Sequence, residues 1–223
     1  MLSLKQGLSL DSIRPQGVWK PTDEASVEAW YQFKKGITLN GSDVSQWDDS
    51  SDNNIDMVQA TASEQPAYSS GVLTFVSAND ENLQTTGQIS LSGNFTIGFR
   101  ANTSTTNGTV LGDNTTANEF FKYSTASQFR VKIDGSIANI TLDSGTFGDD
   151  YIVITRISNV LTLYQNGTAQ SSTPTLSGTA DIDCIGIRAT DTNGYDGTIK
   201  EIQIFSSAST ALTTNVNDRL STL

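Results

Sequence analysis

Residues 30–68 read WYQFKKGITLNGSDVSQWDDSSDNNIDMVQATASEQPAY, and the reading of this stretch decides the fold. It holds two of the three tryptophans, Trp30 and Trp47. Between them and Tyr68 lies a dense Asp/Ser/Asn loop that turns the chain from one apolar run to another. Side chains of this kind bond neighbouring backbone amides and settle readily into tight turns.

Outward from that stretch, the apolar residues keep recurring with the period of strands. Gly71–Val76 (GVLTFV) follows the loop. Phe95, Ile97 and Phe99 alternate with Thr96, Gly98 and Arg100, so one face is packed and the other is small or polar. Val110–Gly112, Glu119–Tyr123 and Phe129–Ile133 are further short strands, and Asp134-Gly135 supplies a hairpin turn in which glycine accepts φ > 0. Tyr151–Ile157 and Val160–Gln165 are joined by Ser158-Asn159 as a two-residue hairpin. Past Thr213 the period changes: Leu212, Val216, Leu220 and Leu223 form the stripe of an amphipathic helix, with Thr213 or Thr214 as its cap.

The order of residue types resembles the concanavalin A-like lectin/glucanase superfamily in its laminin-G/pentraxin-like form, as found in bacteriophage virion proteins. The matching positions in the first stretch are Trp30, Gly36, Val44, Ser45, Trp47, Asp49, Ser51, Asn53, Pro66 and Tyr68, with Asp52 where glycine is usual. Phe75, Asn79, Asp80 and Leu83 continue it, as do the Leu163-Tyr164-Gln165-Asn166-Gly167 turn and the closing Gly197–Phe205 strand. The resemblance implies an all-β, two-sheet antiparallel jelly-roll sandwich with an extended N-terminal arm and a short C-terminal helix. It is weak on activity, because this fold serves lectins, glycosidases, adhesion modules and inert virion parts alike.

Composition bounds what such a sandwich does. The chain has 223 residues, 36% of them apolar, enough for a single substantial core. Asp and Glu outnumber Lys and Arg 24 to 13, for a net charge of −11, a field that repels phosphate backbones and anionic membranes. There is no histidine, which removes Ser-His-Asp and Cys-His catalysis and histidine metal sites. Cys184 stands alone in an apolar strand, so no internal disulfide forms. No signal-peptide pattern or membrane-length apolar run is visible, and a soluble product with no membrane insertion is expected.

Three constellations are candidates for chemistry. Asp48, Asp49, Asp52 and Asp56 with Asn53 and Asn54, and Asp181, Asp183, Asp191, Asn193 and Asp196, carry enough oxygens for Ca²⁺ but equally suit self-bonded turns; no cofactor is assigned. The paired carboxylates of a glycosidase are missing from the strand where the fold usually presents them, and Glu201 reads as structural, so no enzyme activity is expected. Trp47, Tyr123, Tyr151, Tyr164 and Tyr195 are candidate sugar platforms, although nothing in the sequence gathers them.

Residues 1–21 differ from the domain at 22–223. Leu2, Leu4, Leu8 and Leu10 share one parity, the pattern of a strand with one dry face. They read either as a first strand or frayed terminus of the domain, or as an anchoring arm, completed by Ile13 and Trp19, that adds a strand to a partner. The expected function is a non-enzymatic virion structural protein, a head decoration or neck or tail appendage, assembled in the host cytoplasm and displayed on the particle. Its partners would be other virion proteins and further copies of itself, with no nucleic acid. The alternative is a carbohydrate-binding module for host-surface glycans.

Overall fold

A computed structural model describes residues 18–103, 105–143, 145–189 and 193–223. After a single helical turn at Pro21–Asp23, whose Asp23 carboxylate accepts from the Lys20 N–H at 2.8 Å, the chain is strand upon strand. In order these are β1 (Val27–Tyr31), β2 (Ile37–Asn40), β3 (Asp43–Trp47), β4 (Met57–Val58), β5 (Ala67–Ser69), β6 (Val72–Phe75), β7 (Leu83–Leu91), β8 (Phe95–Thr103) and β9 (Gly108–Gly112). There follow β10 (Phe120–Thr125), β11 (Gln128–Ile133), β12 (Ser136–Thr141), β13 (Asp149–Ile157), β14 (Val160–Gln165), β15 (Thr168–Ala169), β16 (Ala180–Ile185) and β17 (Gly197–Phe205), and last the helix α1 (Thr210–Ser221).

Antiparallel pairing sorts the strands into two sheets. The first runs β15–β14–β13–β8–β17, with β1 and β6 sharing the far edge of β17. The second runs β12–β11–β10–β9–β16–β7–β4–β3–β2. Short β5 pairs with both β6 and β3 and carries the hydrogen bonding from one sheet to the other. The fold is an antiparallel jelly-roll sandwich.

The period-2 pattern decides which side chains meet between the sheets. Phe95, Ile97 and Phe99 of β8, Ile152 and Ile154 of β13, Phe129, Val131 and Ile133 of β11, and Ile182 of β16 all lie in one continuous core. Trp47, fully buried, anchors the opening stretch there, its Nε1 donating to the carbonyls of Gln32 and Lys35 at 3.3 and 3.2 Å. Cys184 is buried in the same layer system, its thiol directed at the Ile187 carbonyl at 3.0 Å.

The outer face of the first sheet is covered by α1. Leu212, Val216 and Leu220 pack on Val153 and Phe205, over the small face of β8 at Gly98. A Cβ on Gly98 would lie 2.3 Å from Val216 Cγ1, so glycine is what allows the helix to approach. The helix begins earlier than its apolar stripe indicates. Ser209, not Thr213 or Thr214, is the cap, accepting from the Leu212 N–H at 3.1 Å, and Thr213 lies within the helix with its hydroxyl donating to the Ser209 carbonyl. Cap-forming residues crowd the junction, Ser209 and Thr210 before Leu212 and Thr213 and Thr214 after it, so the stripe alone does not single out the cap. Glu201 ties helix and sheet together: fully buried, it accepts from Trp30 Nε1 (2.9 Å), the Phe33 N–H (3.1 Å) and Arg219 Nε and Nη2 (2.5 and 2.9 Å).

Candidate functional site

The hairpin β13–β14 projects Tyr151 and Tyr164 away from the core, on the face that α1 only partly covers. In the register Tyr164 opposes Val153, so the two tyrosines are diagonal neighbours, within reach of long side chains. The turn beyond them is Asn166-Gly167, both with positive φ (50° and 79°). A Cβ on Gly167 would come 3.5 Å from the Tyr151 hydroxyl, so the ring lies close over the turn.

Asp150 fixes this hairpin end from below. It is buried and accepts from the Gly148 N–H and Gln165 Nε2, both at 2.8 Å, and from Asn166 Nδ2 at 2.5 Å. Asn166 in turn accepts from the Tyr151 N–H at 3.1 Å. The Tyr151 backbone and the turn are thereby held as a unit.

Opposite the tyrosines stands the polar edge of α1. Tyr151, Tyr164 and Gly167 on one side and Thr213, Asn217 and Asp218 on the other enclose a groove of about 230 Å³. Asn217 is the unusual member. Its Nδ2 donates to the Thr213 carbonyl at 2.9 Å, but its Oδ1 is buried with no hydrogen-bond partner. A buried acceptor left unmade costs about 1–3 kcal/mol. Two amphipathic rings opposite the threonine and asparagine side chains of α1 suit a ligand with an apolar ring face and many hydroxyls.

Of the five aromatic residues that the sequence offers as sugar platforms, only this pair converges. Trp47, Tyr123 and Tyr195 are fully buried; Tyr123 stacks with Tyr195 at 6.1 Å and meets Phe147 edge-on at 4.5 Å. Burial pushes the phenol of Tyr123 far up and that of Tyr195 above its usual range, as expected of core rings. Asn217 and Thr213 are the site residues that the sequence does not reveal, since the helical stripe draws notice to the apolar side of α1 and not to its border.

The acidic loops are self-satisfied. Asp49 accepts from the N–H groups of Trp30, Ser51 and Ile55 and from the Ser51 hydroxyl. Asp56 accepts from the Asp49 N–H and Asp48 from Gln46 Nε2, while Asn53 Nδ2 donates to the carbonyls of Val27 and Glu28. In the second set Asp181 takes the Ser90 hydroxyl, Asp183 the Asn114 N–H, and Asp196 the N–H and hydroxyl of Ser77; Asp191 lies outside the described residues. Among the described residues no three acidic or thiol side chains converge as a metal site would require. Asp49, Asp56 and Asp196 pin turns, whereas Asp181 and Asp183 of β16 tie that strand to β7 and to the loop at Asn114.

Leu2, Leu4, Leu8, Leu10 and Ile13 also lie outside the described residues. Trp19 is within them and belongs to the body: its ring is 6.3 Å from that of Phe205 and its Nε1 donates to Glu24 at 3.1 Å. With Val18, Arg219 and Thr222 it borders a second cavity of about 280 Å³ on the other flank of α1.

No protein-family model and no curated protein matches the sequence. Solved structures do. Domain 4 of AbnA, a GH43 extracellular arabinanase from Geobacillus stearothermophilus solved in complex with arabinotriose, is similar with a TM-score of 0.56 and 14% identity, over 86% of this chain and 97% of that one. Trypanosoma rangeli sialidase in complex with sialic acid is similar with a TM-score of 0.53 and 12% identity. There 90% of this chain is covered but only 33% of the sialidase, so the chain spans about a third of that enzyme's length. At these identities the likeness is one of fold alone, that of a β-sandwich jelly roll.

Proposed function

We propose that this chain is a non-catalytic, lectin-like module that binds a glycan in the groove between Tyr151, Tyr164 and α1. The observation that carries the reading is the groove itself, walled by two tyrosines on one side and by the polar edge of α1 on the other. The arabinanase domain of like fold was solved with arabinotriose, which supports a saccharide as ligand. Catalysis is left out because, among the described residues, Asp218 is the one carboxylate bordering the groove, whereas glycoside hydrolysis uses a pair.

The setting proposed for the module is the surface of a bacteriophage particle, built in the host cytoplasm, with other virion proteins and further copies of the chain as partners. Its support is the period-2 pattern of Leu2, Leu4, Leu8 and Leu10 in the sequence. Deleting residues 1–17 tests that setting: particles should lose the protein while the domain stays folded.

The glycan reading is tested on an array of neutral oligosaccharides, arabino-oligosaccharides included, with the Tyr164→Ala and Asn217→Leu variants alongside. Retention on at least one glycan is expected, weakened about tenfold or more by each substitution, consistent with the loss of one aromatic or hydrogen-bonding anchor. Retention that ignores both substitutions, or no retention at all, overturns the assignment.

A further inference from the structure

The outer face of the second sheet carries an arrangement that works against its own stability. Residues 121, 123, 129, 131 and 133 face the core, so Phe120, Lys122, Arg130 and Lys132 face out. The register sets Lys122 directly opposite Arg130, and Phe120 directly opposite Lys132. Like charges in direct cross-strand opposition destabilise a sheet. A further cation joins them: Arg188 Cζ lies 4.9 Å from the Phe120 ring centre, with Lys122 Nζ at 5.1 Å and Lys132 Nζ at 5.9 Å.

The chain has nearly twice as many acidic as basic side chains, 24 against 13, so anionic partners are abundant. Yet no carboxylate of the described residues comes within 4.0 Å of Lys122, Arg130 or Lys132. These three side chains donate instead to neutral oxygens: Lys122 to Asn107 Oδ1 at 2.5 Å, Arg130 to Asn139 Oδ1 at 2.8 Å, and Lys132 to the Ala117 carbonyl at 2.8 Å. Lys122 is only 4% exposed. Burial, with Arg188 and Arg130 nearby, pushes its ammonium down to about 8. Beside the cations, opposite Lys132, Ile137 is 53% exposed and offers an apolar contact.

We propose that this patch is a second binding site, specific for a carboxylate-bearing saccharide such as a uronate, with Arg130 and Lys132 on the carboxylate, Lys122 supplying charge from beneath, and Ile137 against the sugar ring. An oxyanion is called for by the cations themselves. That it sits on a sugar rests on the glycan reading of the Tyr151–Tyr164 groove. A nucleic acid is disfavoured because a few cations on a chain of net charge −11 cannot line a phosphate backbone. A protein partner would need roughly 800 Å² of contact surface per side, far more than a patch centred on one phenyl ring.

The test is titration calorimetry of the full chain with oligogalacturonate, with a neutral oligosaccharide bound on the array, with a sulfated oligosaccharide and with single-stranded DNA. Arg130→Gln, Lys132→Gln and Tyr164→Ala are compared in parallel, with sedimentation at low and high salt. The two cation substitutions fall on partly exposed side chains and leave the core intact. Expected are binding of oligogalacturonate that weakens at least tenfold in Arg130→Gln and Lys132→Gln, is unchanged in Tyr164→Ala, and falls with salt. Neutral glycan binding without uronate binding overturns this proposal and leaves the groove standing; uronate binding without neutral binding does the reverse. Uronate affinity equal in all variants, preference for sulfate or DNA, or salt-sensitive self-association abolished by Arg130→Gln each overturns it.

Discussion

Substituting Gly98 by alanine tests how α1, and with it one wall of the groove, is held. The added Cβ would stand 2.3 Å from Val216 Cγ1 and 3.1 Å from Leu220 Cδ1, against about 3.5–4.0 Å for comfortable carbon contact. Val216 is β-branched and has little rotamer freedom in a helix, so the helix must lift. Overpacking of this kind costs about 1–3 kcal/mol. Alanine restricts the unfolded chain and returns about 0.4–1 kcal/mol. The net expectation is a loss of about 1–2 kcal/mol, or roughly 2–8 °C in Tm for a domain of this size. Urea unfolding measures it, and a double-mutant cycle identifies the cause. In a Val216→Ala background, itself about 2 kcal/mol less stable, the alanine at 98 should cost almost nothing, a coupling of about 1 kcal/mol or more. Asn217 follows Val216 directly, so Gly98→Ala should also weaken glycan binding. A Gly98→Ala protein as stable as the parent, or a penalty that persists in the Val216→Ala background, refutes the close-approach argument.

Glu201→Gln is expected to cost about 3 kcal/mol in denaturant, because it removes one half of a buried ion pair and leaves Arg219 facing an amide; an unchanged midpoint would show the network to be ornamental. Lys122→Met should raise Tm at pH 7, since the patch keeps the ammonium near 8 in the folded protein against 10.5 for the free group. The unfolded chain therefore binds the extra proton between those values, and folding gains stability as pH rises from about 8 to 10.5. The penalty that methionine removes is complete below pH 8, so the Tm advantage of Lys122→Met should shrink by pH 10. An advantage independent of pH would detach it from the charge of Lys122.

The strands and turns were legible from local chemistry, and the sandwich they build from the resemblance in the order of residue types. Period-2 runs such as Phe95-Ile97-Phe99 and paired left-handed positions such as Ser158-Asn159 and Asp134-Gly135 state strand, face and turn within a few residues, because the pleat and the hairpin are short-range geometries. The amphipathic stripe of Leu212, Val216 and Leu220 likewise announces a helix and its dry side. The cap at Ser209 was not legible, since Ser209, Thr210, Thr213 and Thr214 are all cap-forming residue types clustered around Leu212.

Neither candidate site could be read this way. Tyr151 and Tyr164 are interchangeable in sequence with Tyr123 and Tyr195, which the core absorbs, until the sheet faces and the resting place of α1 are known. Asn217 meets the tyrosine pair only because Gly98 admits the helix onto β8, and the opposition of Lys122 to Arg130 exists only in the register of β10 with β11. Sequence alone determined the fold class, the net charge and the lack of histidine chemistry, all properties of composition and of near neighbours. Which side chains share a groove or crowd one ring was decided by tertiary structure, because strand register and helix docking join residues dozens of positions apart, and a local pattern carries no record of who stands across the sheet.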